Sequence, residues 1–487
     1  MNTMEQSATD TAVRPVLSDQ FLPESLGAAG LDAYARALAQ TLQIVPMRES
    51  RRALAARRRR EIRDSLDTAA TTIERAYSVA SDMARAGAPL MPDAEWLMDN
   101  YYIVDELIRD IRDHMPAGFL SELPSVASGR PRVYELAREL VAHIDSSLDE
   151  ELIERFVENF QTGALLSIGE TWALPVMLRL VLLEHLRRLS EQFLHANKCR
   201  TAVVELLQEA ESPTHFDLDF SSLTECGPTI LELSEQLRDK GDTGSASLKA
   251  LERQLQNLGW DLNDLVRLEH RRQAANQVSI GNVITSMRLL ATLDWIHFFE
   301  HTNRTEQVLR RDPASVYTEM DFASRNRYRT VIERIAKGTE QADNIVAQAV
   351  LKLSEDYVQS RSQDEPLRAH VGYWLVGPGA SEFERSQGYR RPATREIAET
   401  ILHNPYTTYF GMLAGLMVIL LTALILLARA WQVPLGAQLA FFVLAFVPLS
   451  DVALSIINSV LTRLVPPRLL PKLEFEQGIP DDYPTIV

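Results

Sequence analysis

The pattern richest in chemistry is His297-Phe-Phe-Glu300-His301. On a helix, residues four apart share a face. H-x-x-E-H is the inverted zinc-protease spacing, in which two imidazoles bind zinc and the glutamate serves as base. A third ligand would come from a downstream carboxylate, Glu306 or Glu319. The competing reading is a packed helix, because Trp295, Phe298 and Phe299 are bulky and apolar and a five-residue match arises readily in a helical chain of this length. We adopt the packed helix and assign no metal ligand.

Other polar residues divide in the same way. Glu170, near Trp172 and Arg179, has the makings of a buried catalytic carboxylate, but Ser167 with Glu170 three residues later is a capping box that satisfies free N–H groups at a helix start. Asp217-Leu-Asp219 matches the DxD by which many glycosyltransferases hold a metal-bound nucleotide. That motif ends a strand of an α/β sheet, whereas these surroundings read as a loop between helices. The cluster Asp321, Arg325, Arg327, Tyr328 and Arg329 could hold an anion; the commoner meaning is Asp321 as a helix cap followed by a charged face. There is no GxGxxG, P-loop or GxSxG, and no cysteine is read as placed with a base for nucleophilic chemistry. No catalytic, cofactor-binding or metal-binding residue is assigned.

The elements that would carry these residues are helices. Forty-six per cent of the 487 residues are hydrophobic and only 7% aromatic, with long Leu/Ala/Arg/Glu runs, so the expected class is mainly α. The net charge of −16 belongs to the region before the apolar end and argues against nucleic-acid binding. Cys199 and Cys226 form no CxxC, hence neither a disulfide framework nor a structural zinc site is read, and a reducing compartment fits.

In order, residues 1–26 read as a flexible tail without a signal peptide, and 27–210 as a helical subdomain. In the latter, Leu97, Tyr101, Val104, Ile108 and Ile111 form an apolar stripe. Arg51, Arg52, Arg57 to Arg60 and Arg63 crowd thirteen positions; they form a solvated face paired with Glu49, Glu61 and Asp64, or dock onto anionic lipid headgroups. Residues 211–245 read as a linker and 246–363 as a second helical subdomain, with Asp312 as a cap before Pro313. Residues 364–404 read as a connector with one strand, Val371 to Val376. Ser167-Ile-Gly-Glu170 is weakly echoed by Ser279-Ile-Gly-Asn282.

Residues 405–465 are a predicted transmembrane hairpin plus an interfacial amphipathic helix. The twenty residues from Tyr409 to Ala428 carry no charge, enough at about 1.5 Å each to cross a core of roughly 30 Å. After Arg429 a second uncharged stretch runs to Ser450. Arg390, Arg391 and Arg395 before the hairpin, and Arg463, Arg468 and Lys472 after it, place both flanks in the cytoplasm. Asp451 inside a span would be costly, so a break is expected at Pro448, with Leu454, Ile457, Leu461 and Leu464 lying along the interface.

Several separated motifs resemble one family. Asp99-Asn-Tyr-Tyr-Ile-Val-Asp-Glu-Leu-Ile-Arg-Asp-Ile-Arg112, Pro131-Arg-Val-Tyr-Glu-Leu-Ala137, Ile168-Gly-Glu-Thr-Trp-Ala-Leu-Pro175, Arg311-Asp-Pro-Ala-Ser-Val-Tyr317, Met320-Asp-Phe-Ala-Ser-Arg-Asn-Arg-Tyr-Arg329, His370-Val-Gly-Tyr373 and Leu470-Pro-Lys-Leu-Glu474 follow the order found in the N-terminal region of the cyclic β-1,2-glucan synthases.

The resemblance implies an inner-membrane glucosyltransferase of the family-84 type, using UDP-glucose and a divalent metal in a catalytic module. It also implies that residues 466–487 only begin that glycosyltransferase domain. This chain is then expected to be an inactive, membrane-anchoring scaffold without its own cofactor. Its expected partners are the lipid bilayer and the missing glycosyltransferase and phosphorylase-like modules. The alternative is a membrane-tethered helical sensor or adaptor that binds a protein partner.

Overall fold

The computed structural model describes residues 26–45, 51–88, 90–113, 122–209, 216, 223–360, 366–392, 401–464 and 470–475. The Asp217-Leu-Asp219 motif, Arg395, Arg468 and residues 476–487 lie outside that set. The protein is 81% helical and, among the described residues, has no strand, only the isolated bridges Ser125–Pro131 and Met320–Leu473. It divides into two compact units, Met1–Arg304 and Thr305–Val487.

In the first unit, α1 (Ala28–Thr41) packs on α5 (Glu150–Gln161), while α2 (Arg51–Arg85), α3 (Pro92–Asp113) and α4 (Arg132–His143) gather around the 42-residue α6 (Ile168–Glu209). The stripe read from the sequence faces this core: Leu97, Val104, Ile108 and Ile111 are buried, and Tyr101 stacks on Tyr77 at 4.3 Å. α7 (Leu223–Asp239) and α8 (Asp242–Asn257) occupy much of the stretch read as a linker. With the ends of α6 and α9 (Leu262–Thr292) they enclose a second core that includes Val203, Phe216, Ile230, Leu251 and Leu265. α10 (Trp295–Thr302) closes the unit and packs on α5 and α6.

The arginine run on α2 is split by burial. Arg58 is buried and holds a loop through Leu123 O at 3.0 Å and the Ser125 hydroxyl, whereas Arg57 pairs with Glu61 at 3.1 Å and Arg59, Arg60 and Arg63 are exposed.

The Ser-Ile-Gly echo has two unrelated purposes. Ser167 and Glu170 form the expected capping box, Ser167 N donating to Glu170 Oε2 (3.0 Å) and Glu170 N to Ser167 Oγ (3.2 Å). Ser279 and Asn282 instead grip the turn before α5, where Asp145 and Ser146 adopt left-handed φ of 47° and 62°. Ser279 Oγ donates to Asp145 Oδ1 (2.6 Å), Asn282 Nδ2 to Asp145 O (3.0 Å), and Ser286 Oγ to Ser146 O (2.5 Å). Left-handed backbone is uncommon without glycine, and these bonds hold it in place.

The second unit contains α11 (Arg304–Leu309), α12 (Val316–Glu319), α13 (Phe322–Thr339), α14 (Asp343–Gln359), α15 (Val371–Leu375), α16 (Ala380–Ser386) and a hairpin of α17 (Pro405–Ala430) and α18 (Leu435–Leu464). Two expectations are corrected here. Val371 to Val376 is not a strand, because α15 is a helical turn whose Gly372 lies under other side chains: a Cβ there would overlap Tyr328 Oη and His370 Nε2. Packing overrides the β-preference of Val, Tyr and Trp.

The break at Pro448 is also absent, since α18 continues from Leu435 to Leu464 with Pro448 inside it. Proline is tolerated in apolar helices when neighbouring groups rearrange, and Ser450 Oγ donates to Val447 O at 2.7 Å in that turn. α17 and α18 are both long and apolar enough to cross a membrane. Ala453 and Ile457 of α18 and Met417 of α17 are buried in the hairpin, and Tyr409 Oη donates to Asn458 Oδ1 at 3.2 Å across it. The apolar stripe expected to lie on a membrane surface is therefore, at Ile457, spent against α17.

Candidate functional site

The motif residues of the second unit converge on a buried polar network. Arg325 and Arg329 fall on the same register of α13 as Ile332 and Ile335, so the helix that buries those isoleucines buries two guanidinium groups as well. Buried charge is tolerated only when paired. Glu306, itself fully buried, accepts from Tyr317 Oη at 2.6 Å and pairs with Arg310 at 3.0 Å and Arg329 at 3.6 Å. Burial, followed by the Glu306 charge, pushes the Tyr317 phenol well above its ordinary range. The Arg329 guanidinium also lies 4.8 Å over the Phe322 ring.

Beside this lies a line of three side chains. Asp312 is not the helix cap read from the sequence, because no helix follows Pro313 until Val316. Its carboxylate accepts from Tyr317 N at 3.3 Å in α12 and also, from residues 58 and 59 positions later, from His370 Nδ1 at 2.6 Å and Val371 N at 3.0 Å. With Nδ1–H donating to the carboxylate, His370 Nε2 accepts from Tyr328 Oη at 3.1 Å. An Asp–His–hydroxyl line resembles the relay of nucleophilic hydrolases. Here the hydroxyl is a phenol 2% exposed, with its pKa pushed up to about 12 by burial and then by Asp312, so the line braces α15 against α13 rather than activating a nucleophile.

The chain leaving the hairpin returns to the same helix. Lys472 N donates to Ser324 Oγ (2.8 Å), Asp321 N to Lys472 O (2.9 Å) and Glu474 N to Glu319 O (2.8 Å), while Arg325 reaches the Glu474 carboxylate at 3.8 Å. Asp321 caps α13 as expected, accepting from Ser324 N at 2.8 Å; the Ser324 hydroxyl first, and then this backbone bond, hold its carboxyl below the usual range. Of the residues that could have held an anion, Arg325 and Arg329 are committed to Glu474 and Glu306, and Tyr328 to His370. Nearby, Arg334 and Arg391 both bind the buried Glu384.

The first unit has one comparable pair. Glu170 does not meet Arg179, which bonds to Asp110 at 2.5 Å; its partner is Arg132, through Nε at 2.8 Å and Nη2 at 2.6 Å. Trp172 stacks on Phe299 at 4.4 Å, and Asn303 Nδ2 donates to Thr171 Oγ1 at 3.1 Å, so α10 is held against the start of α6.

The zinc-like motif lies on α10 with Phe298 and Phe299 buried, and His297 and His301 stack with centroids 6.0 Å apart. Glu306, one carboxylate considered as a third ligand, is taken up by Arg310, Arg329 and Tyr317. Among the described residues the atoms that come within 4.8 Å of one another are those of Glu150, Glu154 and His297, without His301 or Glu300. Both glutamates lie in the first two turns of α5, where the helix dipole favours acidic side chains without any ion.

No protein-family profile matches the chain. It is 30% identical over 425 residues to the cyclic beta-(1,2)-glucan synthase NdvB of Rhizobium meliloti (strain 1021), a match that covers 85% of this chain and 15% of that protein. The chain therefore spans a small part of the length of the curated relative it matches. The sequence motifs that carry the resemblance contribute Arg132, Glu170, Asp312, Arg329 and His370 to the two buried networks. The chain is thus related to the N-terminal region of the cyclic β-(1,2)-glucan synthases.

Proposed function

We propose that the chain is the membrane-anchoring and scaffolding region of a cyclic β-(1,2)-glucan synthase and does not itself transfer glucose. The observation that carries this reading is the return of Lys472–Glu474 to α13. The segment emerging from the hairpin is bonded to the polar network rather than left free, as a brace for a following module requires. In this reading α17 and α18 cross the inner membrane, with the arginine-bearing flanks cytoplasmic. Glucose transfer from UDP-glucose, with its divalent metal, is the work of other modules.

The buried carboxylates support a structural rather than a chemical role. Glu170 and Asp312 of the motifs, and Glu306 and Glu384 beside them, are each buried and bonded to this chain's own donors.

The test has two parts. The chain should stay with bacterial inner membranes through alkaline carbonate, and cysteines placed at Lys198 and Leu470 should both react from the cytoplasmic side. Release by carbonate, or labelling of either site from the periplasm, overturns the reading.

A further inference from the structure

The hairpin carries a carboxylate at a depth where a lone pair of helices cannot satisfy it. Tyr409 and Asn458 meet across α17 and α18 and so fix a common level. Asp451 lies seven residues from Asn458 toward the turn, about 10 Å at about 1.5 Å per residue. Its counterpart on the antiparallel α17, seven residues beyond Tyr409, is Leu416, inside the uncharged stretch Tyr409 to Ala428. Asp451 is therefore well within the apolar thickness of the hairpin rather than at its edge.

It also points outward. Ala453 and Ile457 face α17 and are buried, while Asp451, Ser455 and Thr462, spaced four and seven apart, follow one exposed line turned away from them on α18. Above Asp451 the exposed surface is Leu444 and Val447. No hydrogen bond or ion pair joins the Asp451 carboxylate to another described residue. Ionisable side chains inside membranes face a partner or a water-filled cavity, and two helices enclose no cavity.

We propose that the Asp451–Ser455–Thr462 face of α18 is the docking surface for a further transmembrane helix that presents an arginine or lysine at the depth of Asp451. The inference rests on the reading of the hairpin as membrane-spanning. A second copy of this chain does not fit the face, because the basic residues of the hairpin, Arg429 and Arg463, stand near its ends and two copies would set carboxylate against carboxylate.

The test uses the full chain, fluorescently labelled, in nanodiscs of phosphatidylethanolamine and phosphatidylglycerol. The probes are two polyleucine transmembrane peptides that differ only in a central arginine or leucine. By energy transfer, the arginine peptide should associate at least tenfold more tightly than the leucine peptide. Asp451→Leu should remove the preference, and Asp451→Asn should reduce it while keeping side-chain shape.

Equal binding of both peptides overturns the proposal, as does Asp451-dependent self-association of the chain. So does reaction of a cysteine at 451 with aqueous thiol reagents as readily as one at Arg463, which would put the position in water. A chain released by alkaline carbonate overturns the membrane reading together with this one; a retained chain with no preference overturns this one alone.

Discussion

Replacing Glu170 by alanine should be the most damaging single change in the first unit. Its carboxylate accepts two bonds from Arg132 and two from Ser167, and the side chains of Arg132 and Glu170 are only 4% and 0% exposed. Removing one member of such a buried pair costs about 3–5 kcal/mol, because the guanidinium is left desolvated with, among the described residues, Leu165 O as its remaining hydrogen-bond acceptor. Loss of the capping box adds about 1 kcal/mol. A total of about 4–6 kcal/mol is comparable to the whole stability of many domains.

The double variant Arg132→Met, Glu170→Leu should recover most of this loss, because apolar groups of similar volume carry no desolvation penalty. Urea titration of the full chain in nanodiscs, followed by tryptophan fluorescence, is a suitable assay because Trp172 stacks on Phe299 two residues from the substitution. A cost below about 1 kcal/mol for Glu170→Ala, the range of surface pairs, would refute the argument. So would a double variant no better than the single one.

Two further perturbations test other parts of the structure. Burial, and then Arg188, lowers His185 to about 4, so the native state holds it neutral where the unfolded chain, near 6.5, takes up a proton. The stability it contributes is complete above about pH 6.5 and is lost as pH falls toward 4, amounting to about 3 kcal/mol. Urea midpoints at pH 7.5 and 4.5 should therefore diverge in the parent more than in His185→Gln; equal divergence would count against the assignment. Gly372→Ala should cost about 1–3 kcal/mol by driving a methyl into Tyr328 and His370. Tyr328→Phe should relieve part of that clash, and a fully tolerated Gly372→Ala would show that α15 is not seated as described.

Local chemistry was legible in the sequence where it acted over a few residues. The capping box at Ser167, the Asp321 cap, the apolar stripe of α3 and the two uncharged spans all follow from spacing of three, four or twenty residues. What escaped was long-range pairing. Nothing local to Glu170 points to Arg132, 38 residues earlier, and nothing local to Asp312 points to His370. The one available signal was Arg325 and Arg329 falling on the isoleucine register of α13, which implies buried guanidinium groups and hence buried acids elsewhere.

The β-preference of Val371 to Val376 is outweighed by the packing of Gly372 beneath Tyr328 and His370. Pro448 is different: it is exposed, and α18 carries it within an apolar helix, where proline is tolerated.

That this region anchors and braces a glucan synthase without performing the transfer is best tested by incubating the purified full chain, in nanodiscs, with labelled UDP-glucose and magnesium or manganese. No label should enter protein-bound or free glucan; sustained incorporation that depends on the chain would contradict the proposal.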